Sequence, residues 1–173
     1  NSTDKTGGVG LMPQSKILTN FRPGQIKYTG VKTDFAIDSP GFFEVQLPGG
    51  GVAYTRDGEF HLDTSGRLVT KSGSFVMSNN GVVQFDPKNV DAISITPEGE
   101  ISQGSDAKGK LKVVDFNDTS LLKSIGGCYF LADNPKIKSA VVNNPSLKQG
   151  CLEESNSTPL FEMGNMLLAM RFY

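Results

Sequence analysis

At 173 residues the chain is long enough for one domain with a real hydrophobic core, or for two small lobes. Its 17 basic and 18 acidic residues nearly cancel, which leaves no electrostatic footprint for nucleic acid or an anionic membrane, and no apolar run approaches a transmembrane span. The 20 glycines and 9 prolines favour short strands and tight turns over a helical bundle, and Cys128 and Cys151, too few for a disulfide framework, read as buried thiols.

The opening Asn1-Ser2-Thr3-Asp4-Lys5 carries neither an initiator Met nor a signal-peptide core, so a trimmed amino terminus is expected, with residues 1–8 flexible. From Gly10 to Val31 the pattern is extended and loosely apolar, and Pro13 and Pro23-Gly24 forbid a long helix; this segment is expected to lie along a sheet or reach toward a neighbour. Then come the runs Phe42-Phe43-Glu44-Val45-Gln46-Leu47, Glu59-Phe60-His61-Leu62, Arg67-Leu68-Val69-Thr70, Ile93-Ser94-Ile95 and Lys110-Leu111-Lys112-Val113-Val114. Several alternate apolar with polar residues, as antiparallel strands with one buried and one wet face do. Asp57-Gly58, Ser65-Gly66, Asn80-Gly81, Glu98-Gly99 and Lys108-Gly109 punctuate them as turns, and Asp57-Gly58 is expected to supply the positive φ of a hairpin. Asp115 to Lys123 can form a single helical turn or a loop, and Pro135 to Leu147 reads as a long loop or irregular strand.

From Leu160 the apolar residues Met163, Met166, Leu167, Met170 and Tyr173 recur at spacings of three and four, on one face of a helix. Thr158 suits its cap, Pro159 its first position and Glu162 its first turn. No stop signal follows, so a helix cut at Tyr173 is expected.

Residues that suggest chemistry have plain structural readings. His61 is the single histidine, with no Cys or His at ligand spacing and no carboxylate constellation for a triad. Asp57 and Asp63 lack the alternating oxygen ligands of a calcium loop, and Gly49-Gly50-Gly51 lacks the Lys-Ser/Thr ending of a nucleotide loop and reads as a hairpin tip. No catalytic centre, metal or cofactor is therefore expected.

Pro23-Gly24-Gln25-Ile26 with Thr29-Gly30, Asp34-Phe35-Ala36-Ile37, Gly41-Phe42-Phe43-Glu44-Val45-Gln46 and Ala53-Tyr54-Thr55-Arg56-Asp57-Gly58-Glu59-Phe60 form one ordered series. It continues through Gly66-Arg67-Leu68-Val69-Thr70, Glu98-Gly99-Glu100-Ile101-Ser102 and Gln149-Gly150-Cys151-Leu152-Glu153-Glu154-Ser155-Asn156. This series closely resembles the core of the bacterial flagellar rod and hook proteins over about residues 10–173. The family's amino-terminal helix is missing from the chain, and Ser157 stands where relatives often carry Val. The stretch from Phe130 to Gly150 looks like a proximal rod subunit, whereas Asp115-Phe116-Asn117-Asp118 and Leu121 to Gly126 look like the distal one. The hook protein usually carries a larger inserted outer domain.

The expected fold is mainly β and rod/hook-like: a flexible or extended segment (1–23), an antiparallel β core (24–70 with 148–158), an outer β lobe (71–147) and the start of a truncated carboxy-terminal amphipathic helix (159–173). The resemblance implies a structural subunit of the flagellar basal-body rod, exported without a cleaved signal, in which terminal helices line an inner tube and the β core forms the shell. Its partners would be copies of itself and related rod or hook subunits, with no nucleic acid and no membrane insertion. Phe21, Ile26, Tyr28, Met163, Met166, Leu167, Met170 and Tyr173 are the expected assembly contacts, because a small β domain cannot bury them all; the hairpin from Gly49 to Asp57 is a weaker candidate. The competing class is an extracellular carbohydrate- or peptide-binding β module or a hydrolase, and an enzyme would show a concave pocket with convergent ionisable residues.

Overall fold

Apolar runs of a few residues, each cut short by glycine, proline or a polar pair, can form only brief strands. The computed structural model describes residues 24–154 in that form. In chain order the strands are β1 (Ile26–Tyr28), β2 (Phe35–Ile37), β3 (Phe42–Gln46), β4 (Val52–Thr55), β5 (Phe60–Leu62) and β6 (Leu68–Thr70). They continue as β7 (Phe75–Ser78), β8 (Gly81–Val82), β9 (Ile93–Ile95), β10 (Glu100–Gln103), β11 (Asp106–Lys110) and β12 (Val113–Phe116). The last are β13 (Lys123–Ser124), β14 (Phe130–Leu131), β15 (Ser139–Val141), β16 (Leu147–Gln149) and β17 (Cys151–Glu153). The helical turn expected near Asp115 to Lys123 is a 3-10 turn at Thr119–Leu121, capped by the Asp118 carboxylate, which accepts from the Ser120 N–H at 3.0 Å.

Every strand pairing among the described residues is antiparallel. The main sheet runs β13-β14-β4-β3-β7-β6-β5, with β8 beside β7 and β15 beside β12. The far edge of β3 is shared: Val45 and Gln46 pair with β7, whereas Phe42 and Phe43 pair with β12. A three-stranded sheet β9-β10-β11 and two ribbons, β1-β17 and β2-β16, complete the described part. The expected boundary between residues 70 and 71 falls at the β6-β7 hairpin, where Val69 pairs with Phe75. The buried cluster takes Phe43 and Leu68 together with Ile101, Leu111 and Leu147.

Not every strand has one wet face. Phe42, Phe43, Glu44 and Val45 of β3 are all buried. Phe43 faces the main cluster, its ring edge-on to Phe60 at 5.1 Å. Phe42, on the opposite face, meets Phe116 at 5.7 Å and Phe130 at 6.1 Å, and Tyr54 closes on Phe116 at 4.9 Å. Glu44 is buried on this second face, where its carboxylate pairs with Lys112 at 3.1 Å and accepts from the Tyr54 hydroxyl at 3.3 Å.

Burial, followed by the negative charge of Glu44, pushes the Tyr54 phenol from the usual 10.0 up to about 12. A folded-state value above the unfolded one means that this contribution to stability is intact below pH 10.0 and is lost as pH rises through about 12. Tyr54→Phe is therefore expected to remove the late-titrating phenolate from a near-ultraviolet absorbance titration and to flatten the fall in stability across that window. Loss of a phenolate that titrates near 10.0, with the late-titrating one retained, would show that Tyr54 titrates as an ordinary tyrosine.

Three of the five expected glycine turns sit between paired strands, but two differ. Gly109 lies inside β11, at φ 118°, beside the register shift between Ile101 and Ser102; it makes a bulge, and the β10-β11 turn is at Gly104-Ser105. Gly58 is not in the left-handed region, and β4 and β5, which flank it, pair with other strands. Its requirement is space: a Cβ there would stand 1.7 Å from the Phe35 carbonyl oxygen. The backbone at Gly58 runs directly against β2, and its carbonyl accepts from the Phe35 N–H at 3.0 Å.

Candidate assembly surface

Strand alternation places Ile26 and Tyr28 on one face of β1, opposite Glu153 and Cys151 of β17. Ile26 is half-buried and Tyr28 is 81% exposed. The Tyr28 ring lies beside two glycines, since a Cβ on Gly30 would come within 3.2 Å of its hydroxyl oxygen and one on Gly150 within 3.7 Å of its Cε1. The Gly150 carbonyl accepts from both Thr29 N–H (2.7 Å) and Gly30 N–H (3.0 Å), which fixes the turn that carries the ring. Val31, three residues on, is also exposed, so the ribbon presents an aromatic and an aliphatic side chain to solvent. The structure thus places Ile26 and Tyr28 together; Phe21, Met163, Met166, Leu167, Met170 and Tyr173 lie outside the described residues, as does the expected terminal helix. The weaker candidate is the β3-β4 hairpin, whose tip closes through Leu47 N–H to Gly51 O and Gly50 N–H to Leu47 O and leaves Val52 exposed.

Beneath the ribbon lies a group that the spacing of residues gave no reason to join. Arg56, at the end of β4, grips Glu153 with both arms of its fork, Nε to Oε1 and Nη2 to Oε2, each at 2.9 Å. Its remaining donors reach the carbonyls of Ile37 (2.9 Å), Ser39 (2.8 Å) and Gly41 (2.6 Å). The two side chains are only 16% and 9% exposed, so the pair is largely withdrawn from water, where a bidentate geometry counts most. Its partner is 97 residues away in the chain. A polar residue ending a buried strand, with an unmatched charge, is the signal that points to such a partner.

Neighbouring carboxylates are held in turns. Asp34 is buried and accepts from the Thr29 hydroxyl at 2.7 Å; burial pushes its carboxyl above the usual range, Thr29 opposes this, and the charges of Glu59 and Asp57 add to it. Lys71 stands 3.3 Å from Glu59 and 3.9 Å from Asp57, whose charges raise its ammonium. Asp63 spends its carboxylate on the Ser65 and Arg67 N–H groups and the Arg67 guanidinium. His61 is exposed on β5, and no group of three or more potential metal ligands occurs among the described residues. Cys128, expected to be buried, is exposed, because it follows Gly126 and Gly127 in the β13-β14 turn; Cys151 is partly covered in β17, and both are free thiols.

Residues 36–103, from β2 through β10, match the family model described as the flagellar hook protein FlgE/F/G D1 domain. Among curated relatives, the flagellar basal-body rod protein FlgF of Caulobacter vibrioides is 30% identical over 171 residues, covering 98% of this chain and 69% of the relative. The chain belongs to the flagellar basal-body rod protein family. Rod protein FlgG of Buchnera aphidicola (subspecies Acyrthosiphon pisum) is 34% identical over 178 aligned positions, which cover 96% of this rod-family chain and 66% of the relative. FlgG of Bacillus subtilis is 34% identical over 155 positions, covering 83% and 58%. The rod-family chain thus spans about two thirds of the length of the first of these FlgG relatives and somewhat less of the second. Arg56 and the β3-β4 hairpin fall within the matched D1 segment, whereas both strands of the β1-β17 ribbon lie outside it.

Proposed function

We propose that this protein is a structural subunit of the flagellar basal-body rod that polymerises with copies of itself and with related rod or hook subunits into a helical tube carrying torque toward the hook and filament. The observation that carries this reading is the alignment of nearly the whole chain with rod proteins of several bacteria. An antiparallel body of short strands with a dense buried cluster suits the task, because open-ended head-to-tail packing needs rigid modules with polar rims. In this reading the subunit travels through the flagellar export apparatus, sits in the periplasmic and outer-envelope part of the basal body, and has no catalytic role or cofactor. The β body, in this reading, forms the shell around an inner tube. Phe21, Ile26, Tyr28, Met163, Met166, Leu167, Met170 and Tyr173 serve as subunit contacts.

The test is complementation of a deletion strain with the full-length protein carrying Met166→Asp. Burying a carboxylate in a packed interface costs several kcal/mol. Purified basal bodies are expected to lack rods, and swimming is expected to stop. Normal motility in the Met166→Asp strain would remove the residue 163–173 face from the assembly surface, and motility without the gene would remove the rod reading itself.

A further inference from the structure

The β1-β17 ribbon is poorly attached by the usual means. It forms a sheet of its own with no ladder to the main sheet, and none of its residues belongs to the buried cluster. Apart from the Glu153 side chain, which is 9% exposed, its residues are half-buried or exposed. A two-stranded ribbon is marginal by itself in water, and this one has little apolar area with which to adhere. Among the described residues, three polar links tie it to the body behind it: the Gly150 N–H donates to the Asp34 carbonyl at 2.7 Å, the Thr29 hydroxyl donates to the Asp34 carboxylate at 2.7 Å, and the Arg56 fork holds Glu153, the one link between opposite charges. Arg56 is itself anchored in the body by its bonds to the β2-β3 connection.

From this arrangement we infer that the Arg56-Glu153 pair is a clasp: it holds the β1-β17 ribbon onto the β body, and the ribbon opens as a unit separate from the sheet beneath. Hydrophobic adhesion is weak here, so the charge-assisted bonds decide the opening equilibrium. Local opening of this kind is drawn from segments with few buried apolar contacts. The chain enters and leaves the described body through the ribbon's open end, where the Glu154 N–H donates to the Gln25 carbonyl at 2.7 Å. Any pull or partner acting on residues 1–23 or 155–173 meets the ribbon first and the clasp next. This mechanical consequence rests on the rod reading; the clasp does not.

The test is native-state hydrogen exchange on the full 173-residue chain, with no flagellum involved, so its failure would leave the rod reading untouched. The reporters are the ribbon amides Thr29, Gly30 and Glu154 and the body amides Leu68, Leu111 and Val142, each with a defined backbone acceptor. Glu153→Gln keeps the side chain's size and leaves the Arg56 bonds to Ile37, Ser39 and Gly41 in place. The ribbon amides are expected to exchange about tenfold faster, the loss of a charge-assisted bond, while the body amides keep their rates. Arg56→Lys, which cannot make the fork, is expected to act in the same direction and more strongly. If ribbon and body amides accelerate by the same factor, the ribbon is part of one cooperative unit and the clasp is refuted; unchanged ribbon amides in Glu153→Gln refute it equally. Should Arg56→Lys fail to fold, Glu153→Gln decides alone.

Discussion

Gly58→Ala is expected to lower the unfolding free energy by about 3 kcal/mol, the upper end of typical overpacking costs. The added methyl would stand 1.7 Å from the Phe35 carbonyl oxygen and 2.7 Å from its carbonyl carbon. Neither atom can swing away as the end of a side chain can. Phe35 is held on one side by pairing with Gln149 and on the other by its own N–H bond to Gly58, so relief requires β2 to move out of the core. Gly73→Ala is the control: its φ of 91° is unfavourable for alanine but nothing lies near its Cβ, so it should lose only roughly 1–2 kcal/mol of backbone strain. Urea unfolding of both variants tests the comparison. Equal losses would mean that Gly58 serves an ordinary turn and that the close approach to β2 is relaxed in solution.

Phe43→Ala is expected to cost about 3–5 kcal/mol, the range for deleting a buried aromatic ring. Phe43 is wholly inaccessible and packs edge-on against Phe60. Its backbone pairs with Thr55 on one side and Val113 on the other, so the cavity cannot close by shifting a free edge. Phe42→Ala should cost less, since Phe42 faces the smaller ring cluster with Phe116 and Phe130, whose partly exposed flank can settle into the gap. Guanidinium chloride midpoints for the two variants give the answer; a smaller loss for Phe43 than for Phe42 would place the structural centre on the wrong face of β3.

Much of this architecture was legible in the chain because β periodicity and turn chemistry are local. The runs at Phe60 to Leu62, Leu68 to Thr70 and Ile93 to Ile95 are strands, and Ser65-Gly66, Asn80-Gly81 and Glu98-Gly99 link β5 to β6, β7 to β8 and β9 to β10. The pattern misleads where tertiary contact overrides it. Two adjacent phenylalanines in β3 bury both faces, and Gly58 is required by a neighbour rather than by its own dihedrals. Of the expected contacts, Ile26 and Tyr28 were readable as apolar residues on an extended segment. The Arg56-Glu153 fork was not, because no local rule couples side chains 97 residues apart.

The pairing of β1 with β17, the first and last strands of the described part, also has a kinetic side. Ile26 meets Glu153, Ile37 meets Leu147, and Phe42 meets Val114, in a nested order from the outside inward. Hairpins such as β3-β4 and β5-β6 can form early, because little loop entropy is spent in closing them. The edge of β3 beyond β7 must wait for β12, and β2 and β1 must wait for β16 and β17. Such a high contact order slows folding, so the body is completed only once its last strands arrive. A body built this way stays open longest at β1 and β17, the pair that closes last.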